Sequence, residues 1–324
     1  MSLLLGSPNE RLTLPRAVDA LADAARRAGR PSPLWLVGVL YPSLNLNFDL
    51  VRGVLALVQE FSGVELPWAG GMGGFVTLFG PGIPGVNLGL HGTAELGPVL
   101  ILLPLLLLAF RMIVGLARVS DPLHADSSVE LVREGSSGGV QVARGARLGD
   151  LWRAGRGLAA VAFGLWGMLL LMQFAAMLVV IGPVVALLKL FDLARFSTLF
   201  AGLLLPVLVI VLLYAAVLMV LNQLALHSLV HNRRGVASAL THAWRLVRAS
   251  PLGALRATLV DFVLFLSVLA AEVVFGTLVE DSKVLKMVLV LALFGFAGVT
   301  RAGYWARTYR ALGGLSHADN VPGL

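Results

Sequence analysis

The chain contains no cysteine, only three lysines and few charges of any kind, 13% of its 324 residues. Without thiols, disulfide staples, thiolate catalysis and cysteine-ligated zinc or iron–sulfur centres are excluded. The shortage of charge is equally informative. Soluble domains are about half apolar and about a quarter charged, whereas this chain is 58% hydrophobic with a mean hydropathy of +0.87. A soluble chain of this length could bury one large core, but it would need a polar shell that this composition does not supply. The composition is that of an integral membrane protein. No cleavable leader is expected either. In "MSLLLGSPNERL" the apolar run covers only Leu3 to Leu5, and no small-residue cleavage site follows it. The first true span is expected to serve as an uncleaved anchor.

What the sequence does contain is long apolar runs. A helix rising 1.5 Å per residue needs about 20 of them to cross a hydrocarbon slab of about 30 Å. Gly97–Ala117, Leu158–Ala186, Phe196–Ala225 and Ala257–Val279 meet this, and Val284–Tyr304 nearly does. Pro104, Pro183 and Pro206 fall inside such runs, where each frees a carbonyl and is expected to kink its helix. Leu34–Phe61 is harder to read, because Asn45, Asn47, Asp49 and Arg52 are costly at mid-membrane. It is either one tilted span or a short re-entrant piece followed by an interfacial helix.

Charge decides between these. The formal net charge is +7, and all basic residues except Lys189, Lys283 and Lys286 are arginine. In a soluble protein that balance would suggest nucleic acid. Here the arginines cluster beside apolar runs, so no nucleic-acid partner is expected. Residues 1–33, 118–157 and 226–256 and the C-terminal end together carry nineteen arginines, and 226–256 has no acid. The remaining connectors hold only Lys189, Arg195, Lys283 and Lys286. The arginine-rich side is therefore expected to be cytoplasmic. For residues 1–33 and 118–157 to share it, Leu34–Phe61 must cross.

The expected fold is all-α and integral to the bacterial cytoplasmic (inner) membrane. Six transmembrane helices form three hairpins, with both termini inside. Residues 1–33 form a cytoplasmic N-terminus with an interfacial helix, 34–312 the transmembrane domain, and 313–324 a cytoplasmic tail. Within the domain, 63–96 is an external Gly/Pro-rich loop, and 118–157 and 226–256 are cytoplasmic segments. Eleven glycines and four prolines between Gly63 and Pro98 rule out a long helix there. That loop is expected on the membrane surface or the bundle, or as a re-entrant lining.

One phrase is written twice. "LGDLWRAGR" (Leu148–Arg156) and "LTHAWRLVR" (Leu240–Arg248) share Leu, Trp, Arg and Arg at matching places. In the first, Leu148, Leu151, Trp152 and Leu158 are expected on one helical face, flanked by Arg147, Arg153 and Arg156. In the second, Val236, Leu240, Trp244 and Val247 form the stripe, beside Arg245 and Arg248. Such helices lie in the headgroup plane with the apolar face down. Tryptophan favours that depth, and each arginine gains about 1 kcal/mol from anionic lipid. "LADAARRAGR" (Leu21–Arg30) is a weaker third copy, with Ala25 in place of Trp. Each copy precedes a pair of spans, so the chain reads as three units of interfacial helix plus hairpin. This arises by internal duplication or by convergence on what such helices require.

Ionisable groups inside spans are the default place to look for function. Asp261 and Glu272 are spaced to share one helical stripe. Counted from a turn near Ser282, Asp261 and Arg301 reach similar depth, and they are expected to pair. Gln173, Asn222 and Gln223 suit helix–helix hydrogen bonds or the lining of a substrate path. Arg111 is expected simply to snorkel to the nearby surface. His227 and His231 have the i, i+4 spacing that puts two imidazoles on one face, with His242 close in sequence. A metalloprotease helix would need a glutamate where Ser228 stands. His91 and Glu95 in the external loop lack any accompanying nucleophile motif. Gly71–Gly74, "GMGG", lacks the context of a phosphate loop.

A family resemblance joins these features. "AVDALADAARRAGRPSPLWLVGVL" with its following Gly-rich stretch, "SGGVQVARGARLGDLWRAGRGL" and "SALTHAWRLVRASPLGAL" resemble segments of a group of uncharacterised bacterial multi-pass membrane proteins. That group is similar to the membrane domain found beside some glycerophosphodiester phosphodiesterases. The resemblance covers most of the chain and implies a six-helix fold. It transfers no catalytic residue, because the phosphodiesterase barrel would need a separate soluble domain. The function expected is therefore that of a non-enzymatic accessory or scaffold subunit. It would bind anionic lipid headgroups, partner membrane proteins or a second copy of itself, with no cofactor. The alternative is a small-solute permease or channel using the Asp261/Glu272 stripe. A third reading, an interfacial enzyme, would need His91 with Glu95, or His227, His231 and His242 around a metal.

Overall fold

Long unbroken apolar runs leave the backbone one economical way to satisfy its own N–H and C=O groups, the α-helix. The computed structural model describes residues 12–29, 32–43, 96–121, 148–176, 197–278 and 282–315, with Val179 and Pro183. Among them there is no strand. The helices are α1 (Leu14–Ala28), α2 (Leu34–Gly38), α3 (Leu40–Ser43), α4 (Leu96–Val119) and α5 (Leu148–Ala154). They continue with α6 (Ala159–Ala176), α7 (Ser197–Asn232), α8 (Val236–Ala249), α9 (Pro251–Leu278) and α10 (Lys283–Ala311). Most of the expected external loop, including His91, Glu95 and Gly71–Gly74, lies outside the described residues. So does the first expected span beyond Ser43.

Among the described residues, two helices are long and apolar enough to cross a membrane, through Pro251–Val268 of α9 and Met287–Ala311 of α10. A third counts if α5 and α6 are one span bent by 76°. The helices overshoot their apolar runs at the arginine-rich ends. α7 continues to Asn232 and α10 to Ala311, each roughly two turns past the run. Their stops are local. Arg233 takes φ 49° just after α7, and Gly313 takes φ 85° just after α10. At the second stop the Gly313 and Gly314 amides donate back to the Arg310 and Tyr309 carbonyls, each at 2.9 Å. α9 starts on a proline, where the missing N–H costs nothing.

The chain divides into two compact units. One comprises Ser43–Ile101 and Trp166–Val220, within which the Tyr214 hydroxyl donates to the Met172 carbonyl at 2.9 Å. The other comprises Met1–Pro42, Leu102–Leu165 and Leu221–Leu324. In that second unit α1, α2 and α9 pack on α10. α2 crosses α10 at bare backbone: a Cβ at Gly38 or Gly298 would overlap the opposing glycine's carbonyl. Small residues here permit the van der Waals approach that holds helices together in lipid. Trp35 closes the crossing, edge-on to Phe296 at 6.0 Å, with its indole N–H on the Ala28 carbonyl at 2.9 Å. α1 turns three of its six alanines, Ala17, Ala24 and Ala28, into the unit.

Candidate functional site

Polar side chains of the second unit pair within the helices and gather where α7 and α10 overshoot their apolar runs. Asp261 on α9 and Arg301 on α10 form the pair expected from depth counting. Arg301 Nε donates to Oδ1 at 2.8 Å and Oδ2 at 3.0 Å, and Nη2 donates to Oδ2 at 2.6 Å. Both residues are buried. Gln223 acts as glue: its Oε1 accepts from the Tyr41 hydroxyl at 2.7 Å. Gln173 is buried in the other unit, Asn222 is half-buried, and Glu272 lies on α9 with its side chain outside the described residues.

Around the last turn of α7 is a cluster that the sequence showed only in part. His227 and His231 stack almost parallel, centroids 5.6 Å apart, with His227 Nδ1 3.4 Å from His231 Nε2. Asp121, just past the end of α4, places Oδ2 3.4 Å from His231 Nδ1. Its other oxygen pairs with Arg310. The carboxylate keeps the proton of a neutral His231 on Nδ1, which leaves Nε2 to accept from His227 Nδ1–H. His227 Nε2 is then a buried lone pair with no partner among the described residues. Burial first, then His231 and Arg310, hold the His227 pKa well below its ordinary value.

The Tyr309 ring covers this stack, 6.1 Å from His227 and 6.0 Å from His231, and His242 of α8 meets it edge-on at 6.0 Å. The chain leaving α10 is clasped here. The Gly314 carbonyl accepts from Tyr309 Oη at 3.0 Å, Asn232 Nδ2 at 3.1 Å and His242 Nε2 at 3.3 Å. The three histidines thus sit in one neighbourhood, joined by tyrosine, carboxylate and guanidinium. Among the described residues no group of three His, Asp or Glu side chains is placed to hold a metal ion. Asp121, Asn232, Tyr309 and Arg310 were not singled out as site residues from the sequence.

The amphipathic helices need a correction. α5 ends at Ala154, and Leu158 lies in the turn beyond it, because Gly157 takes φ 77°. The expected face also splits: Leu151 is fully buried, while Trp152 is 41% exposed. Arg111 does more than snorkel. Its guanidinium lies over the Trp152 indole, 3.4 Å from the ring centroid, and its Nε donates to the Trp152 carbonyl at 3.0 Å. Gly115 and Gly155 let α4 and α5 touch at backbone distance. α8 buries Ala239, His242, Ala243 and Leu246 and leaves Trp244 46% exposed. Arg153, Arg156, Arg245 and Arg248 are all exposed. On α1, Asp23 bridges Arg307, at 2.5 Å, and Arg26, which pull its pKa down to about 2.

Comparison with protein-family models, curated proteins and solved structures gives no match.

Proposed function

We propose that the chain is a six-span protein of the bacterial cytoplasmic membrane that works as a non-enzymatic accessory or scaffold subunit. It seats arginine-flanked helices on the anionic inner leaflet and presents apolar faces to lipid, partner helices or a second copy. The observation that carries this is the 76° bend between α5 and α6. If α6 stands along the membrane normal, α5 lies near its plane, with Trp152 and Arg153 outward at headgroup depth. α8 repeats the arrangement, packing its small residues and leaving Trp244, Arg245 and Arg248 free.

The six-span topology draws support from which helix ends meet. The cluster joins Asp121 after α4, His231 of α7 and Arg310 of α10, all C-terminal ends. Arg256, near the start of α9, donates to the Leu12 carbonyl at 3.1 Å, and Gly164, near the start of α6, lies against Val236. Three long helices arrive at this end and two depart from it, as alternate crossings require. The likeness to the membrane domain beside glycerophosphodiester phosphodiesterases belongs to the same reading. The permease alternative needs Asp261 free for cargo, and its commitment to Arg301 weighs against that.

Gentle extraction followed by lipid analysis tests the proposal. Anionic phospholipid should be enriched over zwitterionic in the retained fraction. Glutamine at Arg153, Arg156, Arg245 and Arg248 together should lower the enrichment. Equal recovery of both lipid classes by the native chain would refute it.

A further inference from the structure

The elbow between α4 and α5 holds a cation whose hydrogen-bonding capacity is mostly unspent. The Arg111 guanidinium is fixed twice, by its 3.4 Å stacking on Trp152 and by the Nε bond to the Trp152 carbonyl. That bond uses one of its five N–H donors. Its two Nη nitrogens have no partner among the described residues. A guanidinium held in one plane with its Nη groups open is a preformed fork for phosphate oxygens.

The surroundings select the kind of phosphate. Arg118 donates to the Ala154 carbonyl at 3.4 Å, which brings a second guanidinium to the elbow, and Arg156 is exposed in the adjoining turn. The nearby carboxylate on α5, Asp150, is engaged by Arg153 at 2.7 Å. A headgroup ending in an ammonium would be repelled here, whereas one without a cation would not. Along α4, one and two turns before Arg111, Leu108 is 47% and Leu105 56% exposed. These side chains offer an acyl chain an apolar track leading up to the fork.

We propose that Arg111 and Trp152 form a discrete seat for one anionic phospholipid, its phosphate on the Arg111 fork and one acyl chain along Leu108 and Leu105. The seat rests on the membrane reading above and narrows it from general surface attraction to a single site.

The test uses the full chain in detergent, with phosphatidylglycerol and phosphatidylethanolamine of identical acyl chains and inorganic phosphate as probes, read by native mass spectrometry. The native chain should keep one phosphatidylglycerol under activation that strips the rest. Arg111→Met should bind it about tenfold more weakly or worse, the loss expected for charge-assisted hydrogen bonds. Arg111→Lys should recover only part, because it restores charge without the planar fork. Trp152→Leu, at a 41% exposed position, should weaken binding in the same direction. Millimolar inorganic phosphate should leave the lipid in place. Retention in Arg111→Met equal to the native chain, equal retention of phosphatidylethanolamine, or displacement by inorganic phosphate would each overturn the seat. If the native chain still enriches anionic lipid while Arg111→Met changes nothing, the seat alone fails. If the native chain shows no such preference, the membrane reading fails with it.

Discussion

Arg301 is accommodated inside a packed, largely apolar unit because Asp261 meets it with both oxygens. Desolvating two charges gains little over an apolar pair, but removing one partner strands the other at a cost of about 3–5 kcal/mol. Asp261→Asn should therefore lower the unfolding temperature in detergent steeply, while Asp261→Leu combined with Arg301→Met should recover most of the loss. An Asp261→Asn chain as stable as the native one would mean that the pair does not hold α9 to α10. His227 gives a pH signature. It faces His231 on its own helix and Tyr309 of α10, with Arg310 acting on it through space and Asp121 beyond His231; Asn232 and His242 of α8 meet the same Tyr309 side chain. Well above about pH 6.5 it is neutral in both folded and unfolded chains. Below that, the unfolded chain takes up a proton that the folded chain refuses, so stability falls as pH drops toward the depressed folded value. The unfolding temperature should decline from pH 7.5 to 5.5 and decline less in His227→Gln; an unchanged slope would place the titration elsewhere. Of these groups, the Asp261–Arg301 pair and the His227/His231 spacing were legible in the sequence, because each follows from counting along one hairpin or one helix. Asp121, Tyr309 and Arg310 were not. They reach the site from the ends of different helices, and a charge just past an apolar run looks the same whether it is solvated or buried.

At the scale of the element, periodicity located the amphipathic helices but not which apolar face packs. α8 has two such faces. Ala239, Ala243 and Leu246 turn into the unit, while in the stripe that dominates the sequence pattern Trp244 is exposed and Val236, Leu240 and Val247 are only half-buried. α1 does the same, burying Ala17, Ala24 and Ala28 and leaving Leu14 and Val18 exposed. The physical reason is that close backbone approach rewards small side chains. Hydrophobicity ranks large residues first, so it points to the face that lipid would cover. The glycines carry the same lesson. Gly38, Gly295 and Gly298 mark where α2 and α10 touch at the backbone, and Gly115 and Gly155 mark the contact of α4 with α5. In the sequence these are isolated glycines inside or beside apolar runs, indistinguishable from Gly167, beside which a Cβ would meet nothing. The ends of α7 and α10 were both missed in the same direction. A span is recognised by its apolar run, yet a helix stops where its backbone is broken, at Arg233 and Gly313, so the polar last turns of α7 and α10 were left to the connectors.

For the whole molecule, the side on which each connector lies is the claim from which the lipid reading follows. The lack of native cysteine makes it directly measurable, since each introduced thiol is alone. Ser282 is exposed in the turn before α10, where its hydroxyl accepts from the Leu285 amide at 3.3 Å. Its replacement by cysteine weakens only that cap, by about 1 kcal/mol. Ser238 is exposed in the first turn of α8, and Thr13 is exposed just before α1. If the arginine-rich ends face the cytoplasm, an impermeant maleimide added to intact cells should label Ser282→Cys and spare Ser238→Cys and Thr13→Cys. Permeabilised cells should label all three. Labelling of Ser238→Cys and Thr13→Cys alone would invert the orientation and place the arginine collars on the outer leaflet. Equal labelling of Ser238→Cys and Ser282→Cys from one side would be more damaging. α9 runs from the α8 end to the Ser282 turn, so a shared side would mean that α9 does not cross, and the arrival and departure of helices at the histidine cluster would lose its membrane meaning.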